Sequence, residues 1–287
     1  MKEKRAINNV ELNGFSLNTI GIGTWKMGGF VTPSFSKRND RQEIDAIKYS
    51  VEKGQNHIDT AELYGAGKAE KLIATAIKEL GIKRNRVFIA SKIWSHHRKR
   101  KDVVKGVEKI LKRLETDYLD MIYIHFPWDL MEEYMSGLSD AVDEGLARGL
   151  AVSNFNLEQL KRSQVLARHP ILANQVLFNV FERSVTTDDL LTYCQKENIL
   201  VVAYTPVENI FKKGKNGQIL QEIAKKYDRS LAQIAINWLI SQDNVVTIPK
   251  ATSPAHIDDN LQALNFKLAK EDMLAIKNLG EYRDKIW

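Results

Sequence analysis

Asn56-His57-Ile58-Asp59-Thr60-Ala61-Glu62-Leu63-Tyr64-Gly65 begins as a short strand and breaks into a loop. The two-residue alternation of a strand puts His57 and Asp59 on one face and Ile58 on the other. Asp59 then sits near the strand end, and Tyr64 follows in the connection. An acid at a strand end with a phenol just beyond it is the arrangement in which an α/β barrel keeps its chemistry. Two further strand-like runs end in reactive side chains. Val87-Phe88-Ile89-Ala90-Ser91-Lys92 ends in a lysine, and Tyr118-Leu119-Asp120-Met121-Ile122-Tyr123-Ile124-His125 ends in a histidine.

Outward from these runs the chain alternates. Short apolar segments fall at 19–23, 57–60, 87–92, 119–124, 149–153, 172–177, 199–203 and 245–248. Helix-period stretches lie near 41–53, 68–80, 101–114, 131–144, 156–168, 187–197, 217–227, 230–242, 254–263 and 270–279. Strands alternating with helices predict βαβ units and a parallel sheet. Ahead of them, Asn13-Gly14 between Val10-Glu11-Leu12 and Phe15-Ser16-Leu17 is a strong hairpin signal. The pattern predicts a (β/α)₈ TIM barrel with an N-terminal β-hairpin, one domain over 1–287. A doubly wound sheet needs an early glycine-rich phosphate turn. Gly21-Ile22-Gly23 is instead followed by Thr24-Trp25.

Composition narrows the class. Hydrophobic residues make up 44% of the 287, enough for a full core. The single cysteine, Cys194, excludes an internal disulfide and suits a reducing compartment. The N-terminus lacks the apolar stretch of a signal peptide, and no run reaches the ~18 residues of a membrane helix. The expectation is a soluble cytoplasmic protein without a membrane partner. A net charge of +6 suits an anionic small ligand. Nucleic acid is not expected, because no aromatic residues interleave with the basic run His96-His97-Arg98-Lys99-Arg100-Lys101. No third ligand accompanies the two histidines of that run, so no metal is expected.

In a barrel, the ends of the second, third and fourth strands converge on one mouth. Asp59, Lys92 and His125 would then face one another beside Tyr64. A lysine ammonium about 4 Å from a phenol favours the phenolate by ~4 kcal/mol at an effective dielectric near 20. Depressing the phenol's pKa by ~2 units needs only ~3 kcal/mol. The set thus predicts a tyrosine tuned to exchange a proton near neutral pH. Singly, each residue has an ordinary reading: a turn aspartate, a solvated lysine, a core histidine. Their placement at three successive strand ends favours the chemical one.

These residues also carry a resemblance. Gly54-x-Asn56-His57-Ile58-Asp59-Thr60-Ala61-x-x-Tyr64-Gly65, the strand ending in Lys92, and Tyr118-Leu119-Asp120-x-x-x-Ile124-His125-x-Pro127 resemble the signatures of the aldo-keto reductases. The resemblance runs from Gly21-x-Gly23-Thr24-Trp25 to Ile248-Pro249-Lys250. It implies NADPH-dependent reduction of aldehydes and ketones, with Asp59, Tyr64, Lys92 and His125 as the catalytic tetrad and Tyr64 as the acid. It implies that Ser153, Asn154 and Gln175 hold the nicotinamide carboxamide and that Tyr204 stacks on its ring. Thr24, Thr205, Val207, Asp259 and Asn260 are carried over as further cofactor contacts.

At the adenosine end, Ser253 reads as a helix N-cap with Pro254 as the first helical residue, an anion-binding arrangement. Lys250 matches the family's grip on the 2′-phosphate. His256 stands where the family has an arginine, which leaves NADH as an alternative cofactor. Trp25, Trp94 and Phe126 match positions lining the substrate pocket, for carbonyls with an apolar group. The tail after 279 is short, so the pocket is expected to be open or covered by the loop at 26–40. Two rival readings are a Schiff-base barrel lyase using Lys92 and a non-catalytic nicotinamide-binding redox sensor. The oligomeric state is not legible.

Overall fold

The computed structural model describes residues 9–12, 14–34, 37–95, 99–211 and 214–280. Strands β1 (Asn9–Leu12) and β2 (Phe15–Asn18) form the expected antiparallel hairpin, with Leu12 opposite Phe15. Asn13 lies outside the described residues. Gly14 has φ +84°, the left-handed backbone that such a tight turn demands.

Eight parallel strands follow, each hydrogen-bonded to the next. They are β3 (Ile22–Gly23), β4 (His57–Asp59), β5 (Phe88–Ile93), β6 (Met121–Ile124), β7 (Leu150–Ser153), β8 (Ile171–Leu177), β9 (Leu200–Tyr204) and β10 (Val245–Thr247). The sheet closes on itself beside β3. Ile20 bridges Thr247, Gly21 N donates to Thr247 O at 2.8 Å, and Thr247 N donates to Thr19 O at 2.9 Å. This is the expected barrel.

Helices α1 (Lys37–Glu52), α2 (Lys68–Leu80), α3 (Arg100–Leu114), α4 (Met131–Asp143) and α5 (Leu157–Leu166) cross between strands β3 to β8. After β8 come α6 (Ser184–Thr187) and α7 (Leu190–Lys196). A single helix near 187–197 was expected; Asp189, at φ +56°, breaks it. After β9 come α8 (Lys215–Tyr227) and α9 (Leu231–Ile240), and after β10 come α10 (Pro254–Gln262) and α11 (Lys270–Lys277).

Helix α2 shows why the pattern folds this way. Ala69, Leu72, Ile73 and Ala76 share one buried stripe against the sheet, and Gly81 ends the helix at φ +62°. Helix α5 is opened by Asn156 in a reciprocal capping box with Gln159. Among the described residues no helix is long and apolar enough to cross a membrane.

The core has two layers. One packs helices on the outside of the sheet. The other fills the barrel, where Leu12, Phe15 and Leu17 of the hairpin meet Phe88, Met121 and Leu172. The hairpin therefore stoppers the N-terminal end. Strand register then lifts the reactive residues toward the other end. Asp59 pairs with Ala90, and the next inward residue on β5 is Lys92. Lys92 pairs with Tyr123, and the next inward residue on that chain is His125. Each strand advances the inward row by two residues, which is the stagger of a closed barrel.

Candidate active site

Lys92 is completely buried at the C-terminal end of β5. Its Nζ donates to Asp59 Oδ2 at 2.7 Å, to the Thr60 carbonyl at 2.9 Å and lies 3.1 Å from Tyr64 Oη. Gln175 Nε2, from β8, donates to Asp59 Oδ1 at 2.7 Å. Both carboxylate oxygens of Asp59 are thus occupied. Tyr64 enters through a tight turn after β4, with Gly65 and Ala66 at φ +55° and +52°. Its ring sits edge-on to that of His125, centroids 5.9 Å apart. His125 is buried, and its Nδ1 has no hydrogen-bond partner among the described residues. The four expected residues therefore meet.

Burial governs their protonation. It drives the Lys92 ammonium below the ordinary lysine range, against the opposing pull of Asp59. It drives His125 well below the usual imidazole value, helped by the charge on Lys92. It raises the Tyr64 phenol well above 10, reinforced by Asp59 and Tyr204. The expected phenol tuned near neutrality is thus corrected. Water is excluded from a ring that is only 6% exposed, and a phenolate there would sit beside a carboxylate. At rest Tyr64 is a neutral hydrogen-bond donor, the form a proton-giving acid requires.

A second network borders the first. Asn154 sits at φ +64° after β7. Its Nδ2 donates to the His125 carbonyl at 2.9 Å and to Ser153 Oγ at 3.1 Å, and its Oδ1 accepts from Tyr204 Oη at 2.8 Å. Ser153 Oγ donates to the Gln175 carbonyl at 3.0 Å. Aromatic rings wall the opening. Trp25 lies 4.8 Å from Tyr64 and 4.9 Å from Phe30, and Trp94 lies 5.7 Å from His125 and 5.5 Å from Phe126. Phe126 stacks on His125 at 5.1 Å.

Residues 19–281 match the profile of the aldo/keto reductase family. This chain belongs to that family. The reductase is 32% identical over 264 residues to a methylglyoxal reductase of Escherichia coli (strain K12), covering 90% of this chain and 89% of the other. It superposes on a thermostable aldo-keto reductase crystallised with the inhibitor epalrestat at TM-score 0.91, with 39% identity, covering 95% of this chain and all (100%) of that one. It also matches an aldo/keto reductase from Klebsiella pneumoniae in complex with NADP and acetate, at TM-score 0.83 and 29% identity, covering 98% of each chain.

The donor set of the reductase fits a dinucleotide. Beside the tetrad lie neutral amides and hydroxyls, and Thr205 Oγ1 is buried without a partner among the described residues. Thr205 and Val207 lie in the turn after β9, both partly exposed. At the far end Lys250 is exposed. Ser253 caps α10 by accepting from His256 N, with Pro254 at the helix start as expected, and His256 is exposed. Asn260 lines a small cleft with Gly21, Ser50 and Gln55.

Two of the expected cofactor contacts also bond to neighbouring elements. Thr24 is fully buried and donates to the Asp59 carbonyl at 2.9 Å, bracing β4 from below. Asp259 accepts from Ser230 Oγ at 2.8 Å and Gln233 Nε2 at 2.5 Å, tying α10 to α9. Sequence reading also missed the Thr60 carbonyl and Phe30. The first is a backbone group without a residue-type signal, and the second lay in a loop read only as polar. His96, His97 and Arg98 of the basic run lie outside the described residues, as do 281–287 of the tail.

Proposed function

We propose that this reductase converts aldehydes and ketones to alcohols with NADPH, using Tyr64 as proton donor. The observation that carries the proposal is the buried Asp59–Lys92–Tyr64 chain, with Lys92 Nζ 2.7 Å from the carboxylate and 3.1 Å from the phenol. When bound, NADPH supplies the hydride that reaches the carbonyl carbon. Tyr64 gives its proton to the carbonyl oxygen as negative charge develops there. Lys92 sits beside the phenol and stabilises the resulting phenolate, which in the absence of that cation would be costly in a dry site. Asp59, anchored by Gln175, keeps Lys92 in place. His125, neutral through burial, donates to the same oxygen and orients it.

Ser153, Asn154, Gln175 and Tyr204 support a nicotinamide site, since they offer amides, a hydroxyl and a ring without adding charge. Lys250 and the opening turn of α10 support a phosphate site. The wall of Trp25, Phe30, Trp94 and Phe126 favours carbonyls with an apolar body, and the similarity to a methylglyoxal reductase supports small 2-oxoaldehydes as well. A single domain is the simplest unit for such a barrel.

NADPH consumption with methylglyoxal and with a substituted benzaldehyde tests the proposal. Turnover of either supports it, and a higher kcat/KM for the aromatic aldehyde supports the aromatic wall. NADPH binding without turnover of any carbonyl in a broad panel would overturn it in favour of a sensor. Trapping of a carbonyl on Lys92 by borohydride would overturn it in favour of a lyase.

A further inference from the structure

Behind the tetrad lies a buried carboxylate that the chemistry above does not use. Glu70 is the third residue of α2, six positions after Tyr64, and is completely buried. Its Oε1 accepts from Ser91 Oγ at 2.8 Å, and its Oε2 accepts from Arg113 Nε on α3. Ser91 immediately precedes Lys92 on β5. Strand alternation points Lys92 into the barrel and Ser91 out toward α2. One carboxylate thus ties the helix that continues the Tyr64 turn to the strand that carries Lys92. Arg113 packs against the same turn. An ideal Cβ on Gly67 would stand 2.5 Å from Arg113 Nε, and Gly67 has φ +84°, so glycine alone lets the guanidinium approach.

We propose that Glu70, with Ser91 and Arg113, is a positioning residue for the Lys92–Tyr64 pair: it fixes their separation and holds the Lys92 ammonium charged. The proposal rests on the tetrad reading above. Lys92 is faced by Asp59 and His57 from β4, by Tyr64 from the turn, by Tyr123 on β6 and by His125 after it. Among these, only Asp59 is an anion partner; Glu70 adds a second negative charge from the helix layer. Glu70 itself faces Arg113 and, more distantly, Glu62. Burial pushes its carboxyl up to about 7 against the pull of Arg113, so it carries charge through the alkaline range. Lys92 and Tyr64 share a hydrogen bond at 3.1 Å, so the alkaline limb of activity is expected to report loss of a proton from that pair.

The test is the pH dependence of kcat in Glu70→Gln, Glu70→Asp, Ser91→Ala and Tyr64→Phe, with NADPH affinity measured for each by fluorescence titration. Glu70→Gln keeps the shape and loses the charge, and its alkaline limb should move about one unit to lower pH. Glu70→Asp keeps the charge, so its limb should stay with that of the wild type. Ser91→Ala should lower kcat about three- to tenfold, the loss of one hydrogen bond, without moving the limb. NADPH affinity should change little throughout. If Glu70→Gln does not fold, Glu70→Gln with Arg113→Gln restores a neutral buried pair and should move the limb in the same direction by less, because the Arg113 cation is lost with the Glu70 anion. A folded, NADPH-binding Glu70→Gln or double variant whose profile superimposes on the wild type overturns the proposal. An active Tyr64→Phe would instead overturn the tetrad reading, which keeps the two failures distinct.

Discussion

The barrel holds a buried aspartate at each end, and the two are built differently. At the N-terminal end Asp120, 4% exposed, accepts from Arg84 at 2.8 Å, Arg148 at 2.9 Å and Ile89 N at 2.9 Å. Both guanidinium groups reach solvent and lie over aromatic rings, Arg84 over Tyr118 at 4.3 Å and Arg148 over Phe15 at 4.7 Å. At the other end Asp59 has one cation, Lys92, which is wholly buried and shared with Tyr64. The lower cluster has two wetted cations for one anion and seals the hairpin. The upper one has a single dry cation and leaves a reactive phenol at its edge. The difference teaches where this fold places stability and where it places chemistry.

Lys92→Met should break the upper cluster most severely. It leaves Asp59 buried without a cation, a loss of about 3–5 kcal/mol in unfolding free energy. Turnover should also fall by about 10²–10⁴-fold. Asp120→Asn sharpens the contrast. Denaturant unfolding should show a loss of about 2–4 kcal/mol, while kcat per folded molecule stays at the wild-type value. Equal catalytic loss in both variants would erase the distinction between the two ends.

A third prediction concerns His57, buried below Asp59 with its imidazole pushed down to about 4 by burial. The folded state therefore binds fewer protons than the unfolded one between pH 4 and 6.5. Stability from this group is complete above 6.5 and is lost as the pH falls toward 4, by ~3 kcal/mol. Glu70, raised by burial to about 7, has the opposite slope: it gains stability as the pH falls from about 7 toward 4.5. His57→Gln should therefore become more stable relative to wild type as the pH drops from 8 to 4. Urea midpoints at the two pH values give the answer, and an unchanged difference would contradict it. The smallest effect belongs at the adenosine end. His256→Arg should tighten NADPH binding several-fold and leave NADH unchanged, because only the guanidinium offers a fork to a phosphate.

Much of this was legible because strands repeat every two residues. That period put Asp59, Lys92 and His125 on inward faces, and the barrel stagger brought them to one height. Tyr64 was legible as a phenol in the first connection. Other features were not. Gln175 lies 116 residues from Asp59, and no local pattern links them. Glu70 reads in sequence as one polar position in a helix, and only the packed α2–β5–α3 corner makes it a buried anion. The bonds of Thr24 to the Asp59 carbonyl and of Asp259 to Ser230 and Gln233 likewise join residues with no local pattern between them. The upward shift of Tyr64 is not legible in sequence, because a charge partner can be read from strand ends, whereas the exclusion of water depends on the whole mouth. Asp189 broke a helix through its backbone conformation, which hydrophobic periodicity does not encode.

The central claim is that Tyr64 is the proton donor beside a buried Lys92. The most direct test is single-turnover reduction of an aldehyde by Tyr64→Phe saturated with NADPH, with cofactor affinity measured on the same sample. A proton-donating Tyr64 predicts NADPH affinity within about threefold of wild type and a rate lower by about 10²–10⁴-fold. Wild-type turnover in Tyr64→Phe would contradict it.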